Sequence, residues 1–186
     1  MRQLVVFETI SLDGYFAKLD GDLSWAHKQQ TDPEWDEFVA NNASGQGTLM
    51  FGRVTYEMML SYWPTPQAAK DRPVVAENMN KRPKVVFSRT LGSSPWINTT
   101  VSDDVVGTVR RMKSESGDGM TVLGSGMIVS QLAKAGLIDE MQIVVAPVVL
   151  GEGKSLFAGA GQKDLKLARS RSFKNGNTFL VYEPTS

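Results

Sequence analysis

The stretch Met120-Thr-Val-Leu-Gly-Ser-Gly-Met-Ile-Val-Ser-Gln-Leu-Ala-Lys-Ala-Gly136 reads as a short apolar strand, a tight turn and a helix. The turn is Gly124-Ser125-Gly126, and Gly136 is placed to follow the helix as its C′ residue. A strand, turn and helix in this order lay a row of backbone N–H groups at a helix N-terminus, where the helix dipole also favours an anion. The stretch therefore predicts a site for a phosphate group and, with it, a nucleotide-like ligand.

Composition excludes several classes of partner. The 186 residues suffice for one domain, which we expect to span residues 1–186. Twenty basic residues balance twenty acidic ones, so nothing in the charge indicates a nucleic-acid or membrane partner. No apolar run approaches the ~18–20 residues of a membrane span, and the early polar residues are unlike a signal peptide. The absence of cysteine fits a cytoplasmic protein.

Metal and hydrolytic chemistry are also disfavoured. There is no cysteine to supply a thiolate ligand, and His27 is the one histidine of the chain, so we expect no metal site. A Ser-His-Asp triad would have to use His27, which lies in a polar stretch without a nucleophile-elbow motif. We interpret His27 as a solvated loop residue.

Strand and helix patterns alternate through the first two-thirds of the chain. The sequence Asp32-Pro33-Glu34 has the N-cap, N1 proline and acidic first turn that open a helix. In the last third, Asn175-Gly176-Asn177 is a strong hairpin signal. This order predicts an α/β fold with a mixed, mostly parallel sheet and a C-terminal antiparallel hairpin. The predicted strands are residues 4–10, 48–51, 84–87, 96–101, 121–123, 165–173 and 178–182, with a β-rich stretch over 139–149; the predicted helices are residues 32–42, 53–62, 71–80, one capped by Ser102 or Asp103 that reaches 115, and one that ends before Gly136.

Phosphate-friendly residues follow the predicted strands at residues 52–55, 88–90 and 124–126. Ligands of open α/β sheets bind outside the carboxyl ends of parallel strands, so these loops meet at one ligand if their strands are neighbours. Glycine lets the backbone approach closely, and Arg53 and Arg89 carry the forked guanidinium donors that suit phosphate. Each motif alone is weak, since neither the full Rossmann fingerprint nor a Walker sequence is present. Together they predict a dinucleotide site.

The order of motifs along the chain resembles the dihydrofolate-reductase-like fold, and within it the stand-alone relatives of the riboflavin-biosynthesis reductase domain. The resemblance covers nearly the whole chain and implies a three-layer fold with helices on both faces of the sheet. Its most specific parts are Gly52-Arg-Val-Thr-Tyr-Glu57 and Ala146-Pro-Val-Val-Leu-Gly-Glu-Gly153. The other matching motifs are Ser11-Leu-Asp-Gly-Tyr-Phe-Ala17, Asp20-Gly-Asp-Leu-Ser-Trp25, Val85-Val-Phe-Ser-Arg89, Gly124-Ser-Gly126 and Leu156-Phe157.

The resemblance implies NADPH as the cofactor and hydride transfer from its nicotinamide ring as the chemistry. It places residues 9–15 beside the nicotinamide, and Ser88 and Arg89 at the 2′-phosphate that distinguishes NADPH from NADH. The other implied cofactor contacts form two groups: Gly52, Arg53, Val54 and Thr55 on the pyrophosphate and adenosine-phosphate side, and Gly124, Ser125, Gly126, Met127 and Ile128 around the pyrophosphate at the start of the helix.

The proton donor for such a reaction is harder to identify. Dihydrofolate reductases carry a carboxylate on the helix after the first tryptophan region, and Asp36 and Glu37 are the candidates there, ahead of Asp32. Asp13 is a further acid near the expected nicotinamide. Acidic residues in a first helical turn are also favoured by the helix dipole alone, and Asp-Gly is a turn signal, so a structural role stays open for all of them.

The sequence also departs from the riboflavin-pathway pattern. The zinc motif of the deaminase domain is missing, as are the Leu-Arg-Ala and Asp-Asp-Pro segments of the substrate pocket; residues 56–63 occupy that region. We therefore expect a reductase of a pyrimidine-like or pterin-like small molecule, similar to 5-amino-6-(5-phosphoribosylamino)uracil reductase. The alternatives are a non-catalytic nucleotide-binding or sensing module and dihydrofolate reductase itself. The resemblance also implies a homodimer.

Overall fold

An eight-stranded mixed sheet forms the centre of the computed structural model, which describes residues 1–27 and 31–185 apart from the side chain of His27. The interpretation of that histidine therefore lies outside the described part of the chain. Six of the strands run parallel, and the C-terminal hairpin adds two antiparallel strands at one edge. The order across the sheet is β5-β4-β3-β6-β1-β7-β10-β9, and β2 pairs with β8 in a separate two-stranded sheet. The strands are β1 (Leu4–Ser11), β2 (Tyr15–Ala17), β3 (Thr48–Gly52), β4 (Lys84–Phe87), β5 (Thr99–Ser102), β6 (Met120–Leu123), β7 (Glu140–Ala146), β8 (Lys154–Ser155), β9 (Leu165–Ser172) and β10 (Thr178–Pro184).

Helices cover both faces of the sheet. The helices are α1 (Pro33–Ala43), α2 (Arg53–Tyr62), α3 (Pro66–Asp71), α4 (Pro73–Lys81), α5 (Val105–Ser114) and α6 (Gly126–Lys134), and a short 3-10 helix spans Ser24–His27. Alternate side chains of each central strand point to opposite faces. On β3, Met50 packs in the core beneath α5 and α6, whereas Leu49 and Phe51 pack in the core beneath α2 and α4. A third core holds α1 against β7 and the hairpin.

Lys84, the first residue of β4, is a buried lysine with a complete set of partners. Its Nζ donates hydrogen bonds to the carbonyls of Met79, Asn80 and Arg82 at 2.9, 3.0 and 2.6 Å and lies 4.7 Å from the centre of the Trp96 ring. Burial, together with the nearby Arg82 guanidinium, lowers the pKa of Lys84 to about 8. At neutral pH the ammonium group therefore stays charged and closes the C-terminal end of α4, where the helix dipole favours a cation.

Most of the predicted elements are confirmed. Asp32 is the N-cap of α1 and its side chain accepts a hydrogen bond from the amide of Glu34, and Gly136 has the left-handed φ of +66° expected of a C′ residue. The hairpin at residues 175–177 is present, with Gly176 at φ +89°. The predicted architecture, an α/β fold with a mixed, mostly parallel sheet, flanking helices and a C-terminal hairpin, is confirmed.

Several boundaries were predicted wrongly. The helix predicted over residues 71–80 is α4, which starts at Pro73, and the short helix α3 before it was missed; the two helices meet at Arg72 because Pro73 cannot continue the first one. The N-cap of α5 is Asp104, whose side chain accepts from the amide of Gly107, and not Ser102 or Asp103. The strand predicted over 96–101 starts at Thr99. The short strands β2 and β8 were missed.

Among the described residues, none of the helices has both the length and the apolar character that crossing a bilayer requires.

Candidate functional site

The three predicted ligand loops follow neighbouring parallel strands. β3 lies between β4 and β6 and runs parallel to both, with Gly52 paired to Phe87 and Met50 paired to Val122. The carboxyl ends of these strands therefore meet at one edge of the sheet, where adjacent strands are ~4.8 Å apart. This is the condition under which residues 52–55, 88–90 and 124–126 can contact the same ligand, and the structure meets it.

Two of the loops touch each other. A Cβ atom on Gly52 would overlap the side chain of Ser125, and a Cβ atom on Gly124 would lie 3.0 Å from Thr55. Gly124 also has a φ of +62°, a left-handed conformation that side chains disfavour. Glycine is thus required at both positions by close packing, and at Gly124 by backbone conformation as well. The result is a narrow cradle at the ends of β3 and β6.

The turn that precedes α6 is strained at Ser125, a non-glycine residue with φ +71° and ψ 79°. A residue with a side chain in this region costs ~1–2 kcal/mol, and such strain collects at ligand sites. The helical hydrogen bonds begin at Ile128 and Val129, whose amides both donate to the Ser125 carbonyl. The amides of residues 124–127 precede them and have no partner inside the helix, as in any first turn. They form the predicted row of N–H groups.

The side chains of α6 divide into core and surface. Ile128 is 6% exposed and packs in the core, so its side chain does not face the cradle. Met127 is 77% exposed. Gly126 is buried because Phe16 of β2 covers it: a Cβ atom there would lie 2.7 Å from the Phe16 ring. Of the five residues predicted to surround a pyrophosphate, the structure places Gly124, Ser125, Gly126 and Met127 at the turn and moves the Ile128 side chain away from it.

The predicted phosphate-binding arginines are both at the surface. Arg53, the first residue of α2, is half-exposed and pairs with Glu57 one turn later at 2.8 Å. Arg89 is exposed and forms no ion pair with another residue of the described chain. The Ser88 hydroxyl accepts from the amides of Thr90 at 3.1 Å and Leu91 at 3.0 Å, so it also stabilises the turn after β4. Beside these, Val54 is 72% exposed.

The acids predicted as proton donors lie outside this cradle. Asp36 and Glu37 are exposed on α1, and no hydrogen bond or ion pair within residues 1–27 and 31–185 connects them to the three loops. Asp13 accepts from the amides of Leu150 at 3.1 Å and Gly151 at 2.8 Å. Its hydrogen bonds, the largest from Ser11, lower the pKa of Asp13, so it is a carboxylate at neutral pH. A role as proton donor stays a prediction for all three.

Glu8 is an acid that sequence reasoning missed. It lies on β1 one residue beyond Phe7, the last residue of β1 that pairs with β6, at the point where the Gly124 turn leaves the sheet. Its Oε1 accepts from the amide of Thr9 at 2.9 Å, whereas Oε2 is enclosed and has no hydrogen-bond partner in the described structure. Burial raises the pKa of Glu8 from 4.5 to about 8, against a smaller lowering by the Thr9 amide. A lone acid inside an apolar strand was the available signal.

The family model of the RibD C-terminal domain matches residues 2–179. This match covers most of the described sheet, including every strand of the cradle. The chain belongs to the RibD C-terminal domain family. The dihydrofolate-reductase-like fold expected from the motifs is thereby confirmed. In this RibD C-terminal domain the three loops lie at the carboxyl edge of the sheet.

Relatives of this RibD C-terminal domain include two proteins of Bacillus subtilis (strain 168). The uncharacterized protein YyaP is 25% identical over 182 residues, which cover 97% of the chain and 94% of the relative. The uncharacterized protein YwjB is 28% identical over 156 residues, covering 84% of the chain and 83% of the relative.

Solved structures give the same fold. A candidate riboflavin biosynthesis protein of Shewanella sp. PV-4 superposes with a TM-score of 0.76 at 25% identity over 99% of both chains. A pyrimidine reductase-like protein of Corynebacterium diphtheriae gives a TM-score of 0.65 at 11% identity, covering 100% of this chain and 92% of that one. The diaminohydroxyphosphoribosylaminopyrimidine deaminase/5-amino-6-(5-phosphoribosylamino)uracil reductase of Thermotoga maritima gives 0.68 at 17% identity, over 99% of this chain and 57% of that one. At these identities the last two show the fold alone.

Proposed function

We propose that this RibD C-terminal domain is an NADPH-dependent reductase that delivers a hydride to a pyrimidine-like or pterin-like small molecule. The observation that carries the proposal is the contact between the Gly52 loop and the Gly124 loop at the carboxyl ends of neighbouring parallel strands. Membership of the family and the names of its structural neighbours support reduction as the reaction class. Bound NADPH supplies the hydride from C4 of its nicotinamide ring.

The residues of the cradle suit a dinucleotide with an extra phosphate. The amides of residues 124–127 and the dipole of α6 would offer donors to the pyrophosphate, and the glycines let the Gly52 loop, the Gly124 loop and Phe16 pack closely around this turn. Arg89 is exposed and has no ion pair within the described chain, which supports a role beside Ser88 in binding the 2′-phosphate. Arg53 adds positive charge at the start of α2. Residues 9–15, which run from the end of β1 to the start of β2, border the nicotinamide in this arrangement.

The test is a titration of the protein with NADPH and, separately, with NADH, followed by the fluorescence of the reduced nicotinamide. We expect saturation at submillimolar NADPH and at least tenfold weaker binding of NADH. Oxidation of NADPH at 340 nm is then screened against pterins and ribosylaminopyrimidines. Failure of NADPH to saturate at submillimolar concentration contradicts the proposed cofactor, and saturation without oxidation contradicts the proposed reaction.

A second candidate function is nucleotide binding without catalysis. The specific observation in its favour is that Asp36 and Glu37 are exposed and Asp13 is engaged with the loop at residues 150–151. Under this alternative NADPH binds and its absorbance at 340 nm stays constant with every candidate substrate. Steady turnover with any of them excludes it.

We also propose that the protein is a homodimer, joined through the edge strand β9. All eight residues of β9 are exposed, including Leu165 at 38% and Leu167 at 49%. An exposed edge strand with apolar side chains is a surface that proteins usually cover. Light scattering on the intact protein should give twice the chain mass, and Leu167→Lys should shift it toward the monomer. A monomeric mass for the unmodified protein contradicts the proposal.

A further inference from the structure

Glu8 lies beneath the anion-binding turn, at the junction of three elements. A Cβ atom on Gly124 would be 3.4 Å from Glu8 Oε2 and 3.0 Å from Thr55 of α2, so the turn, α2 and β1 converge on this carboxyl. Val6 and Ile10, its neighbours on the same face of β1, pack in the core beneath α5 and α6. Glu8 is therefore the point where the apolar face of β1 reaches the cradle.

Only one of the two carboxyl oxygens of Glu8 has a hydrogen-bond partner among the described residues. Oε1 receives the Thr9 amide, and Oε2 is enclosed without a hydrogen bond from any described group. An ionised carboxylate that is buried without a counter-ion is strongly disfavoured, whereas a neutral carboxylic acid tolerates one unmatched oxygen at a smaller cost. The geometry thus favours the protonated form.

Within residues 1–27 and 31–185, no ion pair is present that would compensate a charge on Glu8. The raised pKa of Glu8 has burial as its main cause, and no nearby charge contributes to it. The turn and β6 carry no ionisable side chain. The ionisable residues on the elements around it are Arg53 and Glu57 on α2, which pair with each other, Tyr56 and Tyr62 on the same helix, Tyr15 on β2, Lys134 in the last turn of α6, and Glu140 at the far end of β7.

We propose that Glu8 is a positioning residue that must stay neutral for the turn above it to accept a phosphate group, so that dinucleotide binding requires the retention of one proton on Glu8. The inference rests on the proposed function, since it assigns the ligand of the same cradle. A negative charge on Oε2 would partly cancel the positive potential that the α6 dipole and the amides of residues 124–127 create at the turn. This positive potential is what attracts the anion. The neutral acid leaves that attraction intact.

The experiment is the dissociation constant of NADPH measured from pH 7 to pH 9 for the unmodified protein, Glu8→Gln and Glu183→Gln. Glutamine keeps the shape of Glu8 and cannot ionise. Glu183 is exposed on β10, so its variant controls for the loss of one acidic residue. For the unmodified protein and the control we expect the dissociation constant to rise toward ~tenfold per pH unit once Glu8 ionises, because one proton is linked to binding. Glu8→Gln should bind equally well across the range.

A second measurement covers the case in which Glu8→Gln does not fold. Carbon-13 NMR of the unmodified protein, labelled at the glutamate side-chain carboxyl carbon, should show one carboxyl that titrates near pH 8. Saturating NADPH should move that titration to higher pH, since linkage is reciprocal.

Each failure has its own pattern. NADPH that binds with the same affinity at pH 7 and pH 9 overturns the role of Glu8 and leaves the proposed function standing. The same result follows if Glu8→Gln retains the pH dependence, or if NADPH leaves the carboxyl titration unmoved. NADPH that does not bind at any pH overturns the proposed function and, with it, this inference.

Discussion

Two ionisable side chains are enclosed at opposite edges of the same sheet, and their surroundings differ. Lys84 opens β4 at the amino edge and has three carbonyl acceptors for its three protons. Glu8 stands near the carboxyl edge, and its Oε2 has no hydrogen-bond partner in the part of the chain that the structure describes. A buried group with a full set of partners cannot be removed without leaving those partners unpaired, whereas a buried polar atom without a partner marks a place where stability has been given up. From this contrast we infer that Lys84 has a structural role and that Glu8 belongs to the ligand site.

The largest effect is expected from replacing Lys84, the buried residue with a full set of hydrogen-bond partners. Lys84→Met leaves three buried carbonyls without their donor, at about 1 kcal/mol each, so the free energy of unfolding should fall by ~3 kcal/mol. Urea unfolding at pH 7 measures it. Lys81→Met, an exposed lysine in the last turn of the same helix, is the control and should change stability little. NADPH affinity should be unchanged in both, and a tenfold loss in Lys84→Met would remove the distinction between the two edges.

Per pH unit, the next effect is the pH dependence of stability that Glu8 contributes. The folded protein holds the Glu8 proton up to about pH 8, whereas the unfolded chain releases it near pH 4.5. The folded state binds more protons in this window, so the free energy of unfolding should fall as pH rises, by at most ~1.4 kcal/mol per unit. Lys84 acts in the opposite sense above pH 8, because its folded pKa is the lower one.

Urea unfolding between pH 5 and pH 8 checks the Glu8 contribution. The difference in stability between Glu8→Gln and the unmodified protein should grow steadily across this range in favour of the variant. A difference that stays constant with pH would mean that Glu8 ionises normally in the folded protein.

A similar free energy is expected for the 2′-phosphate contact at the carboxyl edge. Arg89→Ala should weaken NADPH about tenfold, or ~1.4 kcal/mol, and leave NADH binding unchanged, because only NADPH carries the extra phosphate. Arg110→Ala removes an exposed arginine from α5 and serves as the matched control. Fluorescence titration of both nucleotides makes the comparison. Equal losses for NADPH and NADH would place Arg89 elsewhere on the dinucleotide.

The smallest effect concerns the strained turn itself. Ser125→Gly should relieve its left-handed backbone and raise the free energy of unfolding by ~1 kcal/mol. The same change at Ser130, inside α6, should lower stability by a similar amount, since glycine is a poor helix residue. Urea unfolding distinguishes the two signs. If Ser125→Gly destabilises the protein, contacts of the serine side chain with the Gly52 loop outweigh the strain.

Local signals predicted much of this fold. Asp32 and Pro33 fixed the start of α1, and the glycines at 124, 126 and 136 located the turn before α6 and the end of that helix. The same signals were missed elsewhere: no helix was predicted between residues 62 and 71, although Thr65 and Pro66 are the N-cap and N1 proline of α3. The pairing of β2 with β8 joins residues far apart in the chain, which no local pattern reveals.

The residues of the candidate site were also predicted only in part. Neighbouring glycine and arginine motifs predicted the cradle, and the strand order β4-β3-β6 brought its loops to one edge. Glu8 and Lys84 escaped notice because burial depends on which strands flank them. Glu8 reads as a polar residue of a strand until β6 and the Gly124 turn are seen to enclose its Oε2.

The position of β1 has a consequence for how the chain acquires its structure during synthesis. β1 leaves the ribosome first, yet it lies between β6 and β7, so neither neighbour exists until residues 120–123 and then 140–146 have been made. β3, β4 and β5 pair with one another in order and can assemble earlier. β1 therefore stays without its sheet partners until those strands have been made, and pairing over such long separations in sequence slows folding. Its insertion is the step that joins the early-folding half to the C-terminal hairpin.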